Sequence, residues 1–383
     1  MIGLLVAAGA VSGTPITGGT SSSDAAIVAL AHGDVLTCTA TVIAPHAVLT
    51  AAHCLSDTEL PDVVEGGAVF GGVHHAALAA FRHPLFDAVT LANDLAVVIV
   101  DPPLVEAPLP YAAVLELAPG AAVRVVGYGW TVVNDTTPAV RRTGTARVAT
   151  IDELFVDTMP DPSQACEGDS GGPALFDAGG GEHVIGVTSS GDATCTQVVH
   201  YTRVDIHADW IAGIVAKTAA GGAGAGDRCW YDDNCADGVA CVPALDEPRL
   251  SFCTPACVAG SCPDGLTCIA SECRHDAPSP GATGAPCELA GDCVDDRCTA
   301  PAGGTDAVCT RPCFSDLPGF ACPAGTTCSA SEDGTEACFV PASSGCTAIG
   351  GGGLLLVLAP LALIPRRRST RRAAGARRVP VAR

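Results

Sequence analysis

The sequence predicts an all-β domain followed by small disulfide-rich repeats, and three observations lead there. From Ile16 to about Thr218, short apolar runs alternate with turn residues. One helical pattern closes that stretch. Sixteen of the 21 cysteines then fall within the 110 residues that follow position 228. At 383 residues the chain is too long for one ordinary domain, so its composition is read by segment.

The apolar runs are Ala26 to Leu30, Ala40 to Ile43, Leu95 to Val100, Val123 to Val126 and Val184 to Val187, and they read as strands. The helical pattern spans His207 to Lys217, where Trp210, Ile211, Ile214 and Val215 share one face. The first domain is therefore placed at residues 16–218. Ahead of it, residues 2–11 form a short apolar run containing Ala8-Gly9-Ala10, a plausible signal-peptidase site, so 1–15 are expected to be a signal or pro-segment.

Residues 219–226 are only Ala and Gly; with no side chains to pack they are expected to open a flexible linker, 219–228. Beyond it the cysteines of 229–273 align with those of 287–338, eight against eight, joined by 274–286. Local text agrees: Cys253-Thr-Pro-Ala-Cys257 matches Cys309-Thr-Arg-Pro-Cys313. Each repeat holds too few large apolar residues to offset chain entropy, so disulfides are expected to staple it, four per repeat. Eight cysteines allow 105 connectivities, and the sequence does not choose among them. Zinc is disfavoured because His275 is the only histidine nearby. No metal or other cofactor is expected.

So many cysteines suit an oxidising compartment and indicate export. The net charge is −21, yet residues 366–383 hold eight arginines and no acid, which leaves the preceding 365 residues near −29. A body that acidic repels nucleic acid and anionic lipid, so neither is expected as its partner.

Serine is a poor nucleophile at neutral pH; it needs a base, a carboxylate to orient that base, and donors for an oxyanion. The first domain offers His53 in Thr50-Ala51-Ala52-His53-Cys54, Asp94 in Asn93-Asp94-Leu95, and Ser170 in the glycine-flanked turn Gly168-Asp169-Ser170-Gly171-Gly172-Pro173. Their order and surrounding text resemble the trypsin/chymotrypsin-like serine proteases across residues 16–217. The resemblance implies two six-stranded antiparallel β-barrels with the triad between them, hydrolysis of proteins or peptides through an acyl-enzyme, and an oxyanion hole from the backbone N–H groups of Gly168 and Ser170. It implies the disulfides Cys38–Cys54 and Cys166–Cys195. It also assigns Ser189 to support of Asp94, and Ser189, Ser190 and Gly191 to pairing with substrate. A released Ile16 amine would pair with Asp169, although Pro15 makes the bond before Ile16 an unobvious target for a trypsin-like activator.

The pocket-floor position, six residues before Ser170, is Gln164, so no carboxylate is expected there for a Lys or Arg side chain. Val199 should narrow the pocket toward small or medium uncharged side chains, and Glu167 should disfavour acidic residues nearby. The rival reading is an inactive protease-like surface protein that binds through its cysteine-rich repeats, which in either case are expected to act as a stalk or to dock a surface or matrix ligand.

At the C-terminus, residues 347–365 are long enough to span a bilayer, and Arg366-Arg367-Arg368 would hold the following side in the cytoplasm. Together with Cys346, the segment 345–383 resembles the C-terminal sorting signal of myxobacterial surface proteins (Myxo-CTERM). That resemblance implies a surface-attached protein whose tail is cut near Cys346; the alternative is a permanent single-span anchor.

Overall fold

The central strands carry apolar residues at consecutive positions because both of their faces are buried. In the strand Ile27–His32, Val28 and Leu30 enter one cluster with Val42, Val48 and Val98, whereas Ile27, Ala29 and Ala31 enter another with Leu49, Val97 and Ile99. The computed structural model describes residues 16–341, apart from 57–58, 131–138, 237, 288–291, 295–296, 314–321, 323–324 and 333. The expected signal segment 1–15 and the tail with Cys346 lie outside the described residues. No helix among the described residues is long and apolar enough to cross a membrane.

Among the described residues of the first domain, fourteen strands precede one α-helix: β1 (Thr20–Ser21), β2 (Ile27–His32), β3 (Val35–Ala44), β4 (Ala47–Thr50), β5 (Asp62–Glu65), β6 (Val73–His75), β7 (Ala77–Arg82), β8 (Ala96–Val100), β9 (Ala122–Gly127), β10 (Arg142–Ile151), β11 (Phe155–Pro160), β12 (Pro173–Asp177), β13 (Glu182–Gly191), β14 (Val199–Arg203) and α1 (Ala208–Lys217). All pairings between them are antiparallel. The C-terminal sheet runs β10-β11-β14-β13-β12-β9, and β9 pairs back onto β10, so six strands close a barrel to which β1 adds at β10. The N-terminal sheet runs β6-β5-β2-β3-β4-β8-β7 and forms a half-barrel. Its two edges, β6 and β7, are separated by Ala76 alone, so one bent segment supplies both. The helix α1 follows the barrels and buries Ile211 and Ile214 in the cluster that also holds Leu49, Tyr128 and Val204.

Each repeat has four disulfides, and both use the same alternation. The first joins Cys229–Cys241, Cys235–Cys253, Cys257–Cys268 and Cys262–Cys273. The second joins Cys287–Cys298, Cys293–Cys309, Cys313–Cys328 and Cys322–Cys338. First pairs with third and second with fourth, twice per repeat, which is the connectivity the sequence left open.

The Ala/Gly segment after α1 departs from its expected flexibility. Gly221 N–H donates to Asp233 O (2.7 Å), Ala223 N–H to Asn234 O (3.0 Å) and Gly226 N–H to Cys253 O (2.8 Å). Backbone groups of the first repeat thus hold a segment that has no side chains of its own. The repeat in turn completes the first domain. Tyr231 is nearly fully buried, joins the cluster under α1 and stacks on His46 with ring centroids 4.0 Å apart. Trp230 meets Phe81 edge-on at 5.4 Å. A helix ends with carbonyls that lack intrahelical partners; Asn234 Nδ2 donates to Lys217 O and Ala219 O, each at 2.9 Å, and Tyr231 OH donates to Thr218 O. Denaturant unfolding of the full chain should therefore show Tyr231→Ala costing about 3 kcal/mol and Asn234→Ala about 2 kcal/mol. Unchanged midpoints for both would refute this docking.

Candidate active site

Asp94 stands two residues before β8 and is wholly buried, so its carboxylate must find donors within the protein. It finds three. Oδ1 accepts the His53 backbone N–H at 2.9 Å, and Oδ2 accepts from His53 Nδ1 and from Ser189 Oγ, both at 2.6 Å. His53 sits in the 3-10 turn Ala52–Cys54 just after β4, with its side chain partly open to solvent, and Cys54 is tied back to β3 through Cys38. Ser189 lies near the end of β13 in the other sheet. The acid thus draws donors from both sheets.

Ser170 precedes β12 in a turn whose glycines leave no room for larger residues. A Cβ on Gly171, which has φ +80°, would come within 2.1 Å of Thr50 Oγ1 and 2.3 Å of Thr39 O. The Ser170 turn therefore lies directly against the end of β4, the strand that delivers His53. No hydrogen bond joins His53 Nε2 to Ser170 Oγ among the described residues; Nε2 lies 3.9 Å from Cys54 Sγ. Neither the Gly168 nor the Ser170 backbone N–H is donated to a group among the described residues.

With this geometry in hand, residues 12–211 match the family model described as Trypsin. The chain belongs to the trypsin family. Trypsin eta of Drosophila melanogaster is 26% identical over 203 residues, covering 46% of this chain and 76% of that protein. Glucanase inhibitor protein 4 of Phytophthora infestans is 27% identical over 200 residues, covering 47% and 78% respectively. Among solved structures, human heparin binding protein superposes with a TM-score of 0.48 at 19% identity, over 53% of this chain and 97% of the other.

Beside Ser170, this trypsin-family chain has a cavity of about 150 Å³ walled by the Cys166–Cys195 disulfide, Ala165, Thr188, Gly191 and Val199, with Glu167, Trp130 and Asp192 also lining it. Gly191 faces Val199: a Cβ there would sit 2.8 Å from Val199 Cγ2. Gln164 differs from the expectation, because it does not line the cavity. It is wholly buried behind it, its Nε2 donating to Thr158 O (3.1 Å) and Gln197 O (2.9 Å) and its Oε1 accepting from Thr158 Oγ1 (3.1 Å). An amide bonded on both ends braces the wall and presents no free group. Ser190 and Gly191, at the open end of β13, are half-buried and exposed respectively.

Asp192 is a lining residue that motif reading missed. Its carboxylate accepts the N–H groups of Thr194, Thr196 and Gln197 and the Thr194 hydroxyl, folding the wall segment into a turn. The Thr194 hydroxyl is the leading cause that holds this carboxyl below its ordinary range. The signal was present in Asp192-Ala-Thr, an acid followed two residues later by a turn-forming hydroxyl.

No hydrogen bond or ion pair joins Ile16 to Asp169 among the described residues. Ile16 is fully buried among Val123, Val125 and Ala146, and Thr17 bridges to Gln164. Asp169 Oδ1 accepts the Gly129 N–H (2.8 Å) and Oδ2 the Cys166 N–H (2.9 Å). A Cβ on Gly127 would come within 2.1 Å of that carboxylate, which is why glycine stands there. No cation pairs with Asp169 among the described residues, and burial pushes its carboxyl from 3.8 up to about 7 against the lowering effect of those two N–H bonds. The folded state then holds this proton more tightly than the unfolded state. Stability from this group is present below the unfolded value and is lost as pH rises through the folded one. Asp169→Asn should therefore remove a decline on the order of 4 kcal/mol between about pH 4 and about pH 7. Parallel stability–pH curves for the two proteins would refute that reading of Asp169.

Proposed function

We propose that the chain is a serine endopeptidase, and the observation that carries this is the wholly buried Asp94 carboxylate held on His53 Nδ1. A proton placed on Nδ1 by that bond leaves Nε2 as the acceptor. Ser170 attacks the scissile carbonyl, His53 takes its proton and returns it to the leaving amine, and Asp94 stabilises the imidazolium formed between the two steps. The His53 to Ser170 contact tightens when substrate fills the site, as catalytic hydrogen bonds do on forming the Michaelis complex. The amides of Gly168 and Ser170 receive the oxyanion, and Ser189 to Gly191 pair with the substrate backbone.

Activation follows from Ile16 and Asp169. Cleavage before Ile16 frees an amine, and the buried carboxylate lacking a cation is its partner. The cavity wall of Ala165, Thr188 and Val199 carries no charge at its depth, which suits a small or medium uncharged side chain at the cleaved position. Glu167 and Asp192 at its lining disfavour acidic neighbours in the substrate. Export fits the ten disulfides among the described residues. Surface attachment through residues 345–383, with or without removal of the tail at Cys346, places the enzyme outside the cell, with the repeats as a stalk or ligand-docking module.

A fluorophosphonate probe should label the wild type, after cleavage before Ile16, and leave Ser170→Ala unlabelled. Equal labelling of both removes Ser170 as the nucleophile, and labelling of neither supports an inactive binding protein. Digestion of a peptide library should show small uncharged residues at the cleaved position, and a strong Arg or Lys preference would overturn the pocket assignment. Ser189→Ala should lower kcat by about tenfold with little change in KM, since it strips one donor from Asp94; unchanged kcat would show that His53 alone fixes the acid.

A further inference from the structure

Three consecutive peptide planes run from Glu167 to Ser170, and their tilt decides where two N–H groups point. In a trans peptide the C=O and N–H lie on opposite sides, so whatever holds the carbonyl aims the amide. The Glu167 carbonyl accepts the Trp130 N–H at 2.7 Å, which directs the Gly168 N–H away from Trp130. The Asp169 carbonyl accepts the Gly172 N–H at 2.8 Å and so directs the Ser170 N–H. Backbone groups thus hold the outer two planes at their carbonyl ends, while the Gly168 and Ser170 N–H ends have no partner among the described residues.

The middle plane is held at both ends: the Asp169 N–H donates to Cys166 O at 3.0 Å, and a side chain holds the Gly168 carbonyl. Thr39 Oγ1 donates to Gly168 O at 2.9 Å and accepts the Tyr128 N–H at 3.2 Å. The Thr39 N–H donates to Ser170 O at 2.8 Å, while its carbonyl accepts from Thr50 Oγ1 at 2.9 Å. Thr39 is wholly buried, so water does not substitute for these bonds. One residue of β3 therefore ties together the Ser170 turn, the residue after β9 and the end of β4. Gly168 has φ +89° and no Cβ to restrain it, so its two flanking planes keep their mutual angle only if both are held from outside.

We infer that Thr39 is a positioning residue, whose hydroxyl orients the Gly168 and Ser170 amides toward a developing oxyanion. The inference rests on the serine endopeptidase reading. Valine has nearly the same shape as threonine but would leave Gly168 C=O and the buried Tyr128 N–H without this partner, so that the middle plane is held at its Asp169 N–H end alone.

The test compares Thr39→Val and Thr39→Ser in the full chain, with Thr39→Ala as a second variant lacking the hydroxyl should valine fail to fold. Peptide-anilide kinetics are normalised to titrated active sites and set beside the affinity for a peptide aldehyde, whose adduct carries an oxyanion. The hydroxyl-free variants should lose about tenfold to a hundredfold in kcat with KM within about twofold, and aldehyde affinity should fall in step with kcat/KM. Thr39→Ser should recover most of both. A purely structural role would lower the titrated site concentration and melting temperature while leaving the aldehyde affinity per site intact, and that result overturns the inference. So does equal impairment of the serine and valine variants. A wild type that neither labels nor cleaves overturns the endopeptidase reading and this inference together; a wild type that cleaves while Thr39→Val matches it overturns this inference alone.

Discussion

A carboxylate removed from water has to be surrounded by donors, and Asp94 organises the molecule around that requirement. Its acceptor oxygens are satisfied by a turn that follows β4 and by a hydroxyl near the end of β13, so the charge is satisfied only when both sheets are in place. The disulfide Cys38–Cys54 and the packing of Gly171 on Thr50 act at the same seam. Site and fold are coupled there: a displacement that separated the sheets would leave a buried ion short of a partner, which is more costly than the loss of an ordinary apolar contact.

The site is also built with two acids in contrasting settings. Asp94 has a histidine and a hydroxyl beside it, whereas the Asp169 carboxylate, one residue before Ser170, accepts two backbone N–H groups and no side-chain donor among the described residues. The first arrangement satisfies both carboxylate oxygens with donors. The second leaves a buried carboxyl with no cation beside it among the described residues, next to Ser170.

Sequence reading carried far for features encoded in short contiguous text. His53, Asp94 and Ser170 each lie in a local motif, and the strands are buried on both faces, so their apolar runs are unmistakable. It fell short where a side chain's direction depends on remote strands. Gln164 occupies the position expected of a pocket floor, but Thr158 and Gln197 capture its amide from the other side. Thr39 reads as an ordinary strand threonine next to Cys38, since the carbonyl it binds is 129 residues away. The Ala/Gly segment after α1 looked mobile because its hydrogen bonds to Asp233, Asn234 and Cys253 involve only its backbone, which leaves no mark in its own side chains.

That last arrangement bears on the timing of assembly. A ribosome makes the chain from its N-terminus, so α1 exists before the residues that cap it. Until Asn234 and Tyr231 have been made, and Cys229 and Cys235 have found their partners, the helix ends in open carbonyls and one edge of the core under it stays wet. The end of α1 in the trypsin-family domain is thus capped by residues that are synthesised after it, in a repeat held by its own disulfides.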